Sequence, residues 1–296
     1  MAIYRFPLAI FYSINASVGV IGNVIMVLCF FKNQNLRNPC HVLITLLCSS
    51  DILNLCGECI FAVGVFGNWQ TTQHNCYCMQ IVPLIGASAG STLILVIGID
   101  RLIAVYFPIW YRNVILVKGR YVLALLTFPF AYTVFILMSG YKNSLAKDSE
   151  LFFCSLPAGI KGWTFKMFNY ASVFIYISVL SVYTAVFVSL KTHKTSTQFK
   201  KVFQSLAVTV TLVLFGWVTA TILNIANIFF VTDLDISEMN IMYSGVPLHF
   251  SLSCNVFVFY FINPDYRKTI RKVLRIVENS EKTSKKTSGG QKVGPS

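Results

Sequence analysis

Charge is scarce in this chain. Of its 296 residues, 12% are Asp, Glu, Lys or Arg, about half the ~25% of a soluble globular domain. Cys76 to Ile99 is a run of 24 residues with no charge at all. As a helix it would extend about 36 Å at ~1.5 Å per residue, more than a hydrocarbon core of about 30 Å. A soluble fold is excluded on these grounds. Internal repeats, direct or inverted, are also missing, which argues against a transporter built from them. A channel or transporter would need midplane charges or broken helices, and only Asp51 and Glu58 answer to that description. No nucleophile stands with an oriented base, so no enzyme is indicated. No metal-ligand spacing appears: Cys76 and Cys78 are too close together and lack partners. No cofactor is implied. No Cys follows Cys254, so palmitate cannot anchor the tail.

What is present is hydrophobic: 55% of the residues. Seven apolar segments, roughly 8–31, 41–66, 79–107, 121–140, 164–190, 202–231 and 241–262, are each long enough to cross a bilayer as a helix. The third and sixth exceed the minimum and should tilt or project. The first is too long for a signal-peptide core and reads as a retained anchor, preceded by about seven residues outside. The net charge of +13 could suggest nucleic acid, but its distribution points to lipid. When loops are assigned alternately to two sides, one side holds 19 of the 24 basic residues. The other side holds Arg5, Lys142, Lys147, Lys161 and Lys166. The positive-inside rule then puts the N-terminus outside and the C-terminus in the cytosol. Seven spans require those opposite ends.

After the last span, Asn263-Pro264 opens a segment in which Tyr266, Ile270, Val273, Leu274 and Val277 share one helical face. Arg267, Lys268, Arg271, Lys272 and Arg275 fill the rest. The pattern predicts an amphipathic helix over 263–277 lying on the anionic inner leaflet. Residues 278–296 are rich in Ser, Thr, Lys and Gly and read as disordered. Among the cysteines, Cys76, Cys78 and Cys154 fall outside, where oxidation is permitted, and one of the three should stay free. Inside the spans, Asn23 and Asp51 sit near one depth, with Asn255 at that level if the bundle closes. A carboxylate in hydrocarbon must find partners, so these three residues predict a polar clamp between helices, and a clamp that can repack is also a switch. Asp100-Arg101 ends the third span at a membrane face.

The ordered set of motifs resembles the rhodopsin-like G protein-coupled receptors. It comprises Gly22-Asn23, Leu47-Cys48-Ser49-Ser50-Asp51, Asp100-Arg101, Gly216-Trp217, and Asn255 eight residues before Asn263-Pro264. In detail the chain is most similar to the nematode serpentine chemoreceptors of class SX. The resemblance covers about residues 8–277. It implies an all-α membrane protein, a seven-transmembrane helix bundle with a short amphipathic helix after the seventh span. The function implied is a chemosensory receptor coupling an extracellular small molecule or peptide to a heterotrimeric G protein; a neuropeptide receptor of the same fold is the alternative, and a transporter or channel a third reading. Arrestin and a receptor kinase are implied as further partners, with Ser280, Thr283, Ser284, Thr287 and Ser288 as phosphosites. The plasma membrane is the implied location, with a sensory cilium as one site. By the family's spacing Cys76 pairs with Cys154, and Trp69 falls in the first outer loop where the family often has Trp.

The same resemblance assigns coupling to Asp100, Arg101, Asn255, Phe259 and Tyr260, and a toggle to Trp217. A ligand pocket in the outer half would draw on Glu58, Gln80, Pro83, Asn224 and His249. Pro83 replaces the Asp of amine receptors, and His249 replaces the lysine of opsins. Several family features are missing. Leu102 follows Asp100-Arg101, and Ile175, Thr219 and Val256 replace the bend-making prolines. Kinks must therefore arise by other means. Gly90 and Leu252 replace polar members of the family's sodium cage, so sodium is not carried over. Counting back 18 residues from Trp217 reaches Phe199, beside Lys200 and Lys201, where many members carry an acid. Asp100 alone is then expected to hold Arg101, in a partly solvated pair worth about 1 kcal/mol, and basal signalling should be appreciable. For topology, an epitope tag ahead of Met1 should react with antibody on intact cells; reaction only after permeabilisation would overturn the orientation.

Overall fold

A computed structural model describes residues 2–115, 118–145, 150–192, 197–230 and 234–275. Among these residues the chain is helical throughout, apart from loops and one isolated antiparallel bridge, Thr71 with Phe152. Water is absent from a hydrocarbon core, so each backbone N–H and C=O must be satisfied within its own helix. The apolar segments become α1 (Ala2–Lys32), α2 (Pro39–Phe66), α3 (Gln73–Tyr106), α5 (Lys118–Ser144), α7 (Trp163–Thr192) and α8 (Thr197–Phe230). Six helices are long and apolar enough to cross a membrane. The seventh crossing is made in pieces: α9 (Leu234–Ser244), α10 (Val246–Ser253) and α11 (Asn255–Ile262). Met239–Ser253 and Asn255–Ile262 meet at a bend of 41°. Short helices complete the set: α4 (Pro108–Ile115) on the basic side, α6 (Leu156–Gly159) in the long outer loop, and α12 (Pro264–Val273) after the last span.

The bend in the seventh span has a cause other than proline. The Leu252 carbonyl accepts from Asn23 Nδ2 at 3.1 Å and lies 3.5 Å from Asn255 Nδ2. Ser253 Oγ donates to the Asn15 carbonyl at 3.0 Å and to its Oδ1 at 2.9 Å. Side chains of α1 thus capture groups at the break, and the Cys254 amide drops back to the Ser251 carbonyl at 3.1 Å. Side-chain capture of backbone groups is a recognised source of kinks.

Helices approach closely where glycine stands. A Cβ on Gly86 of α3 would collide with the Asn54 amide and the Ser50 carbonyl of α2. One on Gly216 of α8 would lie 2.6 Å from Leu248 Cα of α10. Small residues at such crossings let backbones meet where lipid offers no hydrophobic drive. The main core fills the half of the bundle that carries Arg101, with Met26, Leu43, Ile44, Ile97, Val179 and their neighbours.

The first helix takes in residues 2–7. The apolar face of α12 packs against the bundle. Tyr266 and Ile270 are fully buried, Tyr266 Oη lies 3.1 Å from His41 Nδ1, and Asn33 Nδ2 donates to Thr269 Oγ1 at 2.8 Å. Its start is capped by Asn263 Oδ1, which accepts from the amides of Asp265 and Tyr266. The helix stops at Val273, with Leu274 exposed and Arg275 at φ 56°. Val277 and the five tail phosphosites lie outside the described residues.

On the outer side Cys76 and Cys154 form a disulfide that ties the long loop to the start of α3, and Cys78 is free and exposed. Both bonded cysteines are buried beside Phe152. Loss of native disulfides costs about 2–5 kcal/mol in small secreted domains. We expect Cys76→Ser and Cys154→Ser each to cut surface expression severely, and Cys78→Ser to leave it near the parent. Flow cytometry on intact cells reads this directly, and the reverse pattern would overturn the pairing.

Candidate functional site

Buried polar groups gather at three depths along the bundle axis. The outermost is an acid–imidazole cluster. Glu58 on α2 is buried, and Asn15 Nδ2 on α1 donates to its two oxygens at 3.1 and 3.0 Å. His249 Nδ1 on α10 lies 2.7 Å from Glu58 Oε1, near enough for an ion pair although not along a hydrogen-bond direction. Tyr12 stands edge-on to the His249 ring at 5.3 Å, and its hydroxyl donates to the Met242 carbonyl at 2.8 Å. A carboxylate within a span is costly unless partnered; here it has an amide and an imidazole.

The middle cluster is built around Asp51. Asn255 Nδ2 donates to Asp51 Oδ2 at 2.6 Å and reaches Asn23 Oδ1 at 3.1 Å. Through Asn23 the chain of bonds continues to the Leu252 carbonyl. Three helices are tied by side chains that the sequence placed at one depth. The other carboxylate oxygen, Oδ1, faces Gly90, where a Cβ would sit 3.6 Å away. A cavity of about 130 Å³ opens there. Asp51 and Gly90 line its floor, Ile94 and Tyr176 its wall, and His249 its upper end. Leu156 and Pro157 of α6 line it on the outer side. Leu252 also lines it, and Ser91 Oγ is turned to the Ser88 carbonyl at 3.0 Å.

The innermost cluster surrounds Asp100 and Arg101. Both are buried: Asp100 is 0% exposed and Arg101 6%. Arg101 Nε donates to Asp100 Oδ2 at 2.9 Å, and Nη2 bonds the same oxygen. Nη2 also donates to the Tyr111 hydroxyl at 2.9 Å. Asp100 Oδ1 accepts from Tyr111 Oη of α4 and Tyr121 Oη of α5, each at 3.1 Å. Burial pushes the Tyr111 phenol well above its ordinary value, so it stays protonated and remains a donor. The guanidinium lies 4.9 Å from the centre of the Phe199 ring of α8, within cation–π range. The expected partly solvated pair is therefore corrected. The α4 turn and α5 fold over it, and the value for an exposed pair no longer applies. Removing one member of a buried pair costs about 3–5 kcal/mol.

The other predicted site residues are distributed as follows. Phe259 is buried against Tyr266 with ring centres 4.8 Å apart, and Tyr260 Oη accepts from Arg271 Nε at 3.1 Å. Both join α11 to α12. Glu58 and His249 come together, as do Asn23, Asp51 and Asn255. Gln80 and Pro83 do not line the cavity. Three residues apart on α3, they share a face that packs against Gly57 of α2, at 2.9 and 3.0 Å from where a Cβ would stand. The side chains of Trp217 and Asn224 lie outside the described residues. Sequence reasoning missed Asn15, Tyr111 and Tyr121. Asn15 had a signal: it stands eight residues before Asn23, on the same face of α1. The tyrosines had none, because a phenol in a loop, as at Tyr111, or at the end of a span, as at Tyr121, is ordinary.

Comparison with known proteins gives concordant results. The serpentine type 7TM GPCR chemoreceptor Srsx profile matches residues 16–274. Adenosine receptor A2a of Canis lupus familiaris is 24% identical over 292 residues, covering 88% of this chain and 70% of that protein. Adenosine receptor A2a of Homo sapiens is 23% identical over the same shares. Dopamine receptor 3 of Caenorhabditis briggsae is 25% identical over 118 residues, 38% of this chain and 19% of that protein.

The middle cluster yields a measurable expectation. Asn23→Ala removes the donor to the Leu252 carbonyl and the acceptor of Asn255. An unsatisfied buried group costs about 1–3 kcal/mol, and for a chain of this size each kcal/mol lowers Tm by roughly 2–4 °C. A thermal-shift measurement on the purified protein should fall by several degrees; an unchanged Tm would sink the clamp.

Proposed function

This chain belongs to the serpentine type 7TM GPCR chemoreceptor Srsx family, and from that premise we propose that it converts the binding of a small molecule into activation of a heterotrimeric G protein. The observation that carries the reading is the cavity between the outer and middle clusters. A ligand seated there meets Glu58 and His249 at one end and the Asp51 clamp at the other. Rearranging the clamp changes the bend at Leu252–Asn255, and α11 carries that change to the cytosolic face. A cavity lined on its outer side by Leu156 and Pro157 suits a small molecule better than a neuropeptide. The relatives named for adenosine and dopamine point the same way. Neither ligand is assigned to this chain.

The protein is a multi-pass membrane protein of a receptor family, not an enzyme. We place it in the plasma membrane, sensory cilia included, with its N-terminus outside. The cytosolic face then holds Ile109 and Trp110 of α4, both exposed, as apolar anchors for the G protein. Arrestin and a receptor kinase would act on the tail serines and threonines.

Arg101 is the coupling residue in this reading. Its release requires breaking the bonds to Asp100 and displacing Tyr111 and Phe199. A buried restraint biases the two-state equilibrium toward the inactive form more than an exposed pair would, so basal signalling should be low. Tyr121→Phe removes one hydrogen bond to a charged group, worth about 1.5–3 kcal/mol. It should raise basal nucleotide exchange several-fold in membranes, and Asp100→Asn should raise it further. Arg101→Ala should abolish exchange at matched surface expression. If Arg101→Ala exchanges like the parent, the coupling mechanism fails.

A further inference from the structure

We propose that the ligand reaches the cavity from within the bilayer, through a cleft between α7 and α8 gated by Tyr176. The receptor would then take an uncharged, lipophilic small molecule with a hydrogen-bonding end. The inference rests on the receptor reading only in taking the cavity as the ligand site.

Two independent features carry it. On the outer side Leu156 and Pro157 line the cavity, and their loop is held in place on several sides. The Cys76–Cys154 disulfide precedes α6. Thr71 and Phe152 exchange backbone hydrogen bonds at 3.0 and 3.2 Å. Gln73 Nε2 donates to the Lys161 carbonyl at 2.9 Å, and Ile160 is fully buried. A lateral approach lies on the lipid side. An apolar cleft of about 260 Å³ lies between α7 and α8. Val173, Ile177 and Leu180 line one side, and Leu214, Val218 and Ile222 the other. The spacings of three and four residues put each set on one helix face. Every one of these side chains is hydrocarbon, and all lie well inside their spans.

The cleft and the cavity share one residue. Tyr176 lines both and is itself buried. Val213 and Ala220 line the cavity on the side of α8 next to the cleft face. A change of the Tyr176 rotamer would join the two volumes. A charged molecule at this depth would be expelled by the cost of leaving water. A neutral lipophilic one concentrates in the bilayer and needs polar contact only at the far end, where Glu58 and His249 stand.

The test is photolabelling of the full-length chain in lipid nanodiscs with an uncharged aryl diazirine dissolved in the bilayer, followed by peptide mass spectrometry. Adducts should appear on Ser91 and Ile94 of α3, which line the cavity, as well as on the lipid-facing Phe174 and Phe215, 73% and 66% exposed. Val218→Trp, and independently Leu180→Trp, should lower the α3 adducts at least tenfold while the Phe174 and Phe215 adducts stay unchanged. Those outward adducts also report that each variant is folded. Tyr176→Ala should raise the α3 adducts several-fold. The proposal is overturned if labelling stops at the cleft residues, which would make the cleft a seat for bilayer lipid. It is equally overturned if Leu156→Gly raises the α3 adducts while the tryptophans do not lower them, which would make the outer loop the route. The measurement needs no signalling, so it can fail or succeed independently of the nucleotide-exchange experiments.

Discussion

The hydrogen bond from Asn255 to Asp51 is the interaction on which the rest of this bundle depends. It is short, at 2.6 Å, and both its residues are buried in low-dielectric surroundings. It draws the seventh span against the second, and Asn23 completes the junction by binding both Asn255 and the Leu252 carbonyl. With that carbonyl taken by a side chain, the helix breaks and bends by 41°. The bend sets the direction of α10, and so the meeting of His249 with Glu58. It also sets the course of α11, whose Phe259 seats Tyr266 and α12. A single polar junction thus relates the outer cluster, the cavity and the cytosolic helix. Its cost is met by near-complete pairing of the groups it buries.

The inner cluster follows the same physics. A carboxylate and a guanidinium are taken from water together, and two phenols and an aromatic face complete the coordination of each. Arginine suits this position because its planar group can bond a carboxylate and lie against a ring at once. Lysine would lose the geometry while keeping the charge. The cage draws on four elements, α3, α4, α5 and α8. Its opening is therefore coupled to movement among them, which fits the coupling role proposed for Arg101.

How much was legible in the sequence varied by the range of the interaction. The spans were legible because a bilayer imposes a length and an apolarity on each segment separately. The clamp was legible because Asn23, Asp51 and Asn255 are polar where polarity is costly. Glu58 and His249 stood out for the same reason. Gln80 and Pro83 were misassigned to the cavity, because depth along α3 was readable while its rotation was not. The face they occupy is set by the close approach of Gly86 to α2. The pair at Asp100 was misjudged as partly solvated, because its cover comes from Tyr111 and Tyr121, whose positions depend on how α4 folds back.

The sequence by itself determined the number of crossings and the residues that had to find partners inside the membrane. Each of these follows from local composition acting against the solvent. The tertiary structure alone decided which partners they found, where the seventh span breaks, which face of each helix lines the cavity, and that a hydrocarbon cleft meets that cavity at Tyr176. These depend on helix rotation and approach, which are fixed by packing among residues far apart in the chain and leave no periodic mark along it.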